Sequence, residues 1–401
     1  MKICFICFDF TKENIRRQPW NYVYRLSKAL KKKGEDVVVL TDKEIKEVDD
    51  IRTRKIPTIN SFVRRTGEIR AVLREECPDV IVALIGVTTF LRKSMDSNIP
   101  TIGLLTSPIY SPREIIRVGL REFVIHLDYL IIHLIGSVLS PILLRRGISS
   151  LDAIVVLSEK NRRKIENLGA IDKVLLIPPG IEESFLGRPD CTRINRLKSK
   201  LNIRDEPILM YFTSPLTLRG TDTLMKAFII VRRRLDSRLI ILSRQENTRL
   251  IHEEKALMEI AEKGGVEDSV TIVRESLSPN EIIDYLSLAT IVCLPFKLVI
   301  SDVPLSVLEA MSRGKAVIST RVGCLPEILE NRGVIINPND SIELADAIFK
   351  LLEDKNLFEN LSMASKEFMN AYPSWDNIAA RFIELTLQII KKHDNLKGDR
   401  Q

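Results

Sequence analysis

Aromatic residues make up only 6% of the 401-residue chain, and it has only four histidines. No stretch interleaves basic with aromatic side chains, and no zinc-finger or helix-turn-helix spacing is present. Nucleic acid is therefore disfavoured as a partner, despite a net charge of +7 and a pI near 9.0. The basic balance suits an anionic membrane face or a phosphorylated substrate instead. Cysteine is sparse, with six residues in all. Cys4 and Cys7 have Cys-x-x-Cys spacing, but they fall in the apolar run Ile3–Phe8, which reads as a buried strand where a thiol acts as a small hydrophobe. No second Cys or His pair lies nearby to complete a zinc site. The thiols fit a reducing, cytoplasmic compartment. Met1 leads straight into that strand without a basic leader, so no secretory signal is expected. No Asp-x-Asp metal motif stands at a strand end.

Hydrophobic residues (45%) and charged residues (28%) are in the proportions of a soluble globular protein, and the length suits two domains. Short apolar runs alternate with helical patterns. Strands are expected at Lys2–Phe8, Asp36–Thr41, Val80–Leu84, Pro100–Leu105, Ala153–Leu157 and Val174–Ile177, with helices at Trp20–Lys33, Thr66–Cys77 and Glu159–Leu168. The order starts afresh near Pro207. Strands are expected at Ile208–Phe212, Leu239–Ser243, Val270–Val273, Ile291–Leu294, Ala316–Thr320 and Gly333–Ile336. Helices fall at Thr221–Arg234, Ile251–Lys263, Asn280–Leu288, Pro304–Arg313 and Ser341–Glu353. This is the α/β class, with two doubly wound parallel sheets and a cleft between them. The polar stretch Gly187–Lys200 marks the seam, placing residues 1–188 in the first domain and 189–374 in the second. A closing helix begins at Trp375 and runs to about Lys392, within a returning segment 375–401.

Residues 123–144 are strongly apolar, but Asp128 interrupts them, Arg145 and Arg146 end them, and Gly136 and Pro141 loosen them. A spanning helix needs roughly 20 largely uncharged residues. A buried or interfacial helix is expected instead. Arg113, Arg117 and Arg121 favour the membrane surface over plain core.

The most informative stretch is Ser301–Ser319. A helix starts near Pro304, capped by Ser301 or Asp302, and its free amides attract phosphate. Leu305, Leu308 and Met311 form an apolar stripe. Glu309 lies at its edge, where a carboxylate accepts hydrogen bonds from vicinal hydroxyls such as those of a ribose. An ordinary surface glutamate would look the same.

Glu309-Ala310-Met311 and Gly314 resemble the second half of the donor motif of the retaining family-4, or group 1, glycosyltransferases. Two facing Rossmann-like domains (GT-B) and transfer from a nucleotide-diphosphate sugar are what that resemblance implies. It assigns Glu309 to the donor ribose. The motif's first glutamate falls at Ser301, which can still hydrogen-bond near the transferred sugar, and Asp302 is one position out of register. Tyr211–Gly220 resembles the family's phosphate-binding loop. There Arg219 stands for the usual lysine, and Ser214 replaces the arginine. Lys297 and Arg244 are candidates for the missing cation. The resemblance implies catalytic roles for Arg219 and Ser301. It puts Glu309, Ser214, Arg219, Asp302, Pro304, Leu305 and Leu277 at the donor. Gly323–Glu327 resembles a further glycine-rich loop, with Cys324 replacing a glycine.

The first domain would hold a lipid-linked or glycan acceptor. Arg16 and Arg17 stand at the mouth of the helix beginning near Trp20, where they would meet a phosphate or remain a solvated pair. Thr106 and Ser107 follow a strand end, as do residues 86–89. Metal-independent retaining transfer, with no cofactor beyond the donor, fits a site without an obvious nucleophile or histidine base. A sugar-nucleotide epimerase or sugar phosphorylase of the same plan is one rival. A non-catalytic partner that binds a sugar nucleotide is the other.

Overall fold

Runs of β-branched and apolar residues form two sheets in the computed structural model, which describes residues 1–57, 66–86, 98–127, 130, 131, 133–135, 137, 147–243, 248–275 and 277–398. The first sheet contains β1 (Lys2–Ile6), β2 (Asp36–Thr41), β3 (Glu47–Val48), β4 (Ile51–Lys55), β5 (Val80–Ile85), β6 (Thr101–Leu105), β7 (Ala153–Val156) and β8 (Val174–Leu176). Their order is β3-β4-β2-β1-β5-β6-β7-β8. Every pairing is parallel except β3 with β4. The second sheet contains β9 (Ile208–Tyr211), β10 (Arg238–Leu242), β11 (Val270–Val273), β12 (Ile291–Leu294), β13 (Ala316–Thr320) and β14 (Val334–Ile336), all parallel, in the order β11-β10-β9-β12-β13-β14. Parallel strands with both faces covered read as unbroken apolar runs, which is why β1, β2, β9 and β12 are legible directly.

Cys4 packs with Ile6 on one face of β1, whereas Cys7 lies with Ile3 and Phe5 on the other. Strand alternation therefore keeps the two thiols from sharing a ligand. Burial pushes the Cys4 thiol up to about 12.

Several elements differ from expectation. Strand β4 turns only Ile51 and Thr53 inward, so its sequence lacks the apolar run of a central strand. The stretch expected as a polar seam contains the helix Cys191–Lys200. None of its residues is fully buried, but Arg193 pairs with Asp284 at 2.8 Å. The helix Lys355–Asn370 fully buries only Leu361, Ser365 and Met369, with Leu357, Phe358 and Phe368 half-buried beside them. The short helix Glu183–Leu186 packs on helices of the second domain, and Arg313 Nη1 donates to the carbonyls of Phe185 and Gly187.

The closing helix is longer than expected, Trp375–Gly398, and lies against Trp20–Lys32 of the first domain. Trp375 meets Tyr22 edge-on at 5.3 Å, and Phe382 stacks near Phe5. Outgoing and returning chains cross side by side, where Ile181 N–H donates to Pro373 O at 3.1 Å. A Cβ on Gly180 would sit 2.7 Å from Trp375 N, so only glycine admits this approach.

Within the apolar segment, Leu120–Ile125 is helical, as are the described residues of 127–137. Glu122, His126, Leu130 and His133 are buried. Val124 (72% exposed), Leu127 (42%), Ile131 (36%) and Ile135 (44%) face outward at helical spacing. Asp128, Gly136, Pro141, Arg145 and Arg146 lie outside the described residues. Among the described residues, no helix is long and apolar enough to cross a membrane.

Candidate functional site

In open parallel sheets, ligands bind beyond the carboxyl ends of strands where the strand order reverses. The order reverses at β1 and at β9. The loops after β1, β9 and β12 surround one cavity of about 640 Å³ between the domains, a volume within the range of ligand sites.

The second domain supplies most of the wall. After β9, the turn Thr217–Arg219 presents Arg219, whose Nη1 donates to Thr213 Oγ1. Gly220 follows at φ +80, and a Cβ there would lie 1.8 Å from Pro295 O. This tight turn places Arg219 at the start of the helix Thr221–Arg232. Ser214 also lines the cavity, and its carbonyl accepts from Tyr211 Oη at 3.0 Å.

The helix Leu305–Ser312 buries Val307, Leu308, Ala310 and Met311 and leaves Glu309 half-buried at the cavity. Its N-cap is Pro304, with no side-chain cap, so neither Ser301 nor Asp302 caps it as expected. Ser301 lines the cavity, and its hydroxyl donates to Val303 O at 3.2 Å. Pro304, Leu305 and Ser306 bring the electropositive helix end to the same space. Leu277 adds an apolar wall beside Pro279 and Ile282.

From the first domain come Arg16, Arg17 and Gln18, and then one face of the Trp20–Lys32 helix. Trp20, Asn21, Tyr24 and Arg25 lie on that face. Tyr24 Oη donates to Asp49 Oδ2 at 2.9 Å, and Arg25 pairs with Glu182. Sequence reasoning missed Tyr24, Arg25, Asp49 and Glu182. The signal for the first two was present: residues 20, 21, 24 and 25 recur at helical spacing beside the buried face of residues 22, 23, 26 and 30.

Asp302 does not face the cavity. It is 1% exposed, and its Oδ1 accepts from Ser158 Oγ of the first domain at 2.9 Å. Burial pushes its carboxyl up to about 7, while the Ser158 hydrogen bond pulls the other way. Thr106 and Ser107 are likewise spent on packing. The Thr106 carbonyl accepts from Asp302 N–H at 2.8 Å, and the Ser107 carbonyl accepts from Asn161 Nδ2 at 3.0 Å. Neither lines the cavity. Lys297 is no stand-in for the cation absent at Ser214. It is buried between Glu122 at 2.5 Å and Asp222 at 2.9 Å. Arg244 and residues 87–89 lie outside the described residues. In the loop Gly323–Glu327, Glu327 accepts from the Glu159 and Lys160 amides at 3.0 and 3.2 Å, again across the domains.

A family profile described as "Glycosyltransferase Family 4" matches residues 20–185, and one described as "Glycosyl transferases group 1" matches residues 206–354. The chain is 24% identical over 264 residues to a Mycobacterium tuberculosis protein named "GDP-mannose-dependent alpha-(1-6)-phosphatidylinositol monomannoside mannosyltransferase". The match covers 63% of this chain and 66% of that protein's length. It is 21% identical over 259 residues to the "N-acetyl-alpha-D-glucosaminyl L-malate synthase" of Bacillus anthracis, covering 64% of each. Among solved structures, sucrose-phosphate synthase from Thermosynechococcus elongatus superposes with a TM-score of 0.77 at 18% identity, over 98% of this chain and 100% of that one. Anabaena HepE in complex with UDP and glucose superposes at 0.69 and 15% identity, over 96% and 99%. Both share the two-domain GT-B architecture described above. With paired profiles covering both domains, the chain belongs to the group 1 glycosyltransferases.

Proposed function

We propose that this protein transfers a sugar, with retention of configuration, from a nucleoside-diphosphate sugar to a lipid-linked or glycan acceptor. The observation that carries the reading is an interdomain cavity that joins Glu309, Arg219, Ser214, Ser301 and the uncapped helix end at Pro304–Ser306 to Arg16 and Arg17. Glu309 accepts hydrogen bonds from the ribose diol. Arg219 grips the diphosphate as a planar donor, and the helix amides add positive potential. Leu277 packs against the donor. The Ser301 hydroxyl, whose proton goes to Val303 O, accepts a hydrogen bond from a hydroxyl of the transferred sugar. Charge on the departing diphosphate is met by fixed groups, and that phosphate takes the proton of the attacking hydroxyl. This route needs no metal and no cofactor.

GDP-mannose in the mycobacterial relative's name and UDP in the Anabaena structure supply the first donors to try. A panel of UDP- and GDP-sugars, assayed for hydrolysis and for transfer to lipid extracts with and without EDTA, tests the reading. Turnover insensitive to EDTA supports it. Nucleotide binding without turnover of any donor would support the non-catalytic partner. No nucleotide binding by calorimetry removes the donor site.

The acceptor reading includes peripheral contact with an anionic membrane. It is supported by the outward stripe Val124, Leu127, Ile131 and Ile135, near exposed Arg113 and Arg117.

A further inference from the structure

The segment between β12 and the Leu305–Ser312 helix lines the cavity through Val299, Ile300 and Ser301. It belongs to the second domain, yet the first domain holds it from behind. The buried Tyr110 hydroxyl accepts Val299 N–H at 2.9 Å and donates to the Val299 carbonyl. Two residues earlier, Lys297 pairs with buried Glu122. Three residues later, Asp302 accepts from Ser158 and donates its N–H to Thr106. Tyr110, Glu122 and Ser158 do not line the cavity themselves. A loop whose buried polar groups are satisfied by another domain keeps its shape only while that domain is in place.

We propose that Tyr110 is a positioning residue of the donor site. Together with Glu122 and Ser158 it holds residues 297–302 in their cavity-lining shape, so nucleotide affinity depends on closure of the first domain against the second. The proposal rests on the donor-site reading above. Tyr110 touches no reacting atom, so its loss shows in binding rather than in the chemical step.

Tyr110→Phe keeps the ring, which packs edge-on against His133 at 5.9 Å, and removes only the hydroxyl. Nucleotide Kd for UDP and GDP, donor KM, kcat and Tm are measured on the full chain. Two hydrogen bonds to one backbone unit predict a rise in Kd and KM together of about five- to tenfold. The kcat stays within about twofold, the signature of lost ground-state binding. Ser158→Thr, which keeps the hydroxyl, is expected to retain wild-type Kd, and Ser158→Ala to lose affinity. Wild-type Kd and KM in Tyr110→Phe, or a lowered Tm with unchanged Kd, overturns the proposal and leaves Tyr110 as interdomain packing. Failure of the donor-site reading is separate, because the wild-type chain would then bind neither nucleotide.

Discussion

Asp302 and Ser158 are joined across the two domains by a 2.9 Å hydrogen bond, and Asp302 is the residue directly after Ser301 of the cavity. Burial holds the carboxyl's proton up to about pH 7, whereas an unburied aspartate, as in the unfolded chain, titrates near 3.8. Between those values the folded form holds a proton that the unfolded form has lost. Stability is therefore full below about 3.8, falls as pH rises through the window, and levels off above 7. Lys160 opposes the shift and Glu327 adds to it. Asp302→Asn should flatten that fall, which is worth at most about 4 kcal/mol. Melting temperatures from pH 4.5 to 8 check this, and parallel curves for the two proteins would refute it.

His133 gives the opposite slope. Burial pushes its imidazole down to about 4, so the native chain stays neutral where the unfolded chain takes a proton. Stability from this group is present above about 6.5 and lost as pH falls toward 4, by about 2–3 kcal/mol. In the Asp302→Asn background, adding His133→Phe should remove most of the remaining loss below pH 6.5. Urea titrations at pH 5 and 7 measure it.

Glu309→Gln and Arg219→Ala are expected to weaken nucleotide binding at least about tenfold each while leaving Tm within a few degrees, because both side chains are only half-buried at the cavity. Arg219→Lys should recover part of the loss. Calorimetry with UDP and GDP decides, and unaltered affinity in both variants would move the site elsewhere.

Gly220→Ala should destabilise the fold by about 2 kcal/mol or more, since φ is +80 and the new Cβ would meet Pro295 O. Chemical denaturation reads this directly. A loss below about 0.5 kcal/mol would show that the turn relaxes freely.

Val124→Glu with Ile131→Glu should abolish sedimentation with anionic vesicles at low salt while leaving Tm unchanged, because both positions face outward. If the wild-type chain does not sediment, the surface stripe has another role.

The central strands and the helices between them were legible because parallel strands and their covering helices carry unbroken apolar runs and clean 3.6-residue stripes. Strands β11, β12 and β13 and the helix Ser341–Glu353 begin and end where the sequence placed them. Elements with little buried surface were not legible. Strand β4 is held by strand pairing, and the helix Cys191–Lys200 by Arg193–Asp284 and by only two half-buried apolar side chains, Ile194 and Leu197. Most cavity residues of the second domain sit on short stretches after β9, β11 and β12, each compact enough for local sequence to announce it. Asp302 and Lys297 looked like site residues because they lie on the last of these, and Thr106 because it follows a strand end. Their side chains or carbonyls turn instead toward partners 75 to 196 positions away in sequence, a separation that no local pattern encodes.

Gly180 lets two chain crossings lie in contact, one outward and one returning. The outgoing and returning chains are thus tied to each other as well as to the domains they join. Glu182 of the outgoing chain stands on the cavity wall two residues beyond that contact, so a side chain forced in at Gly180 would be felt directly at the cleft.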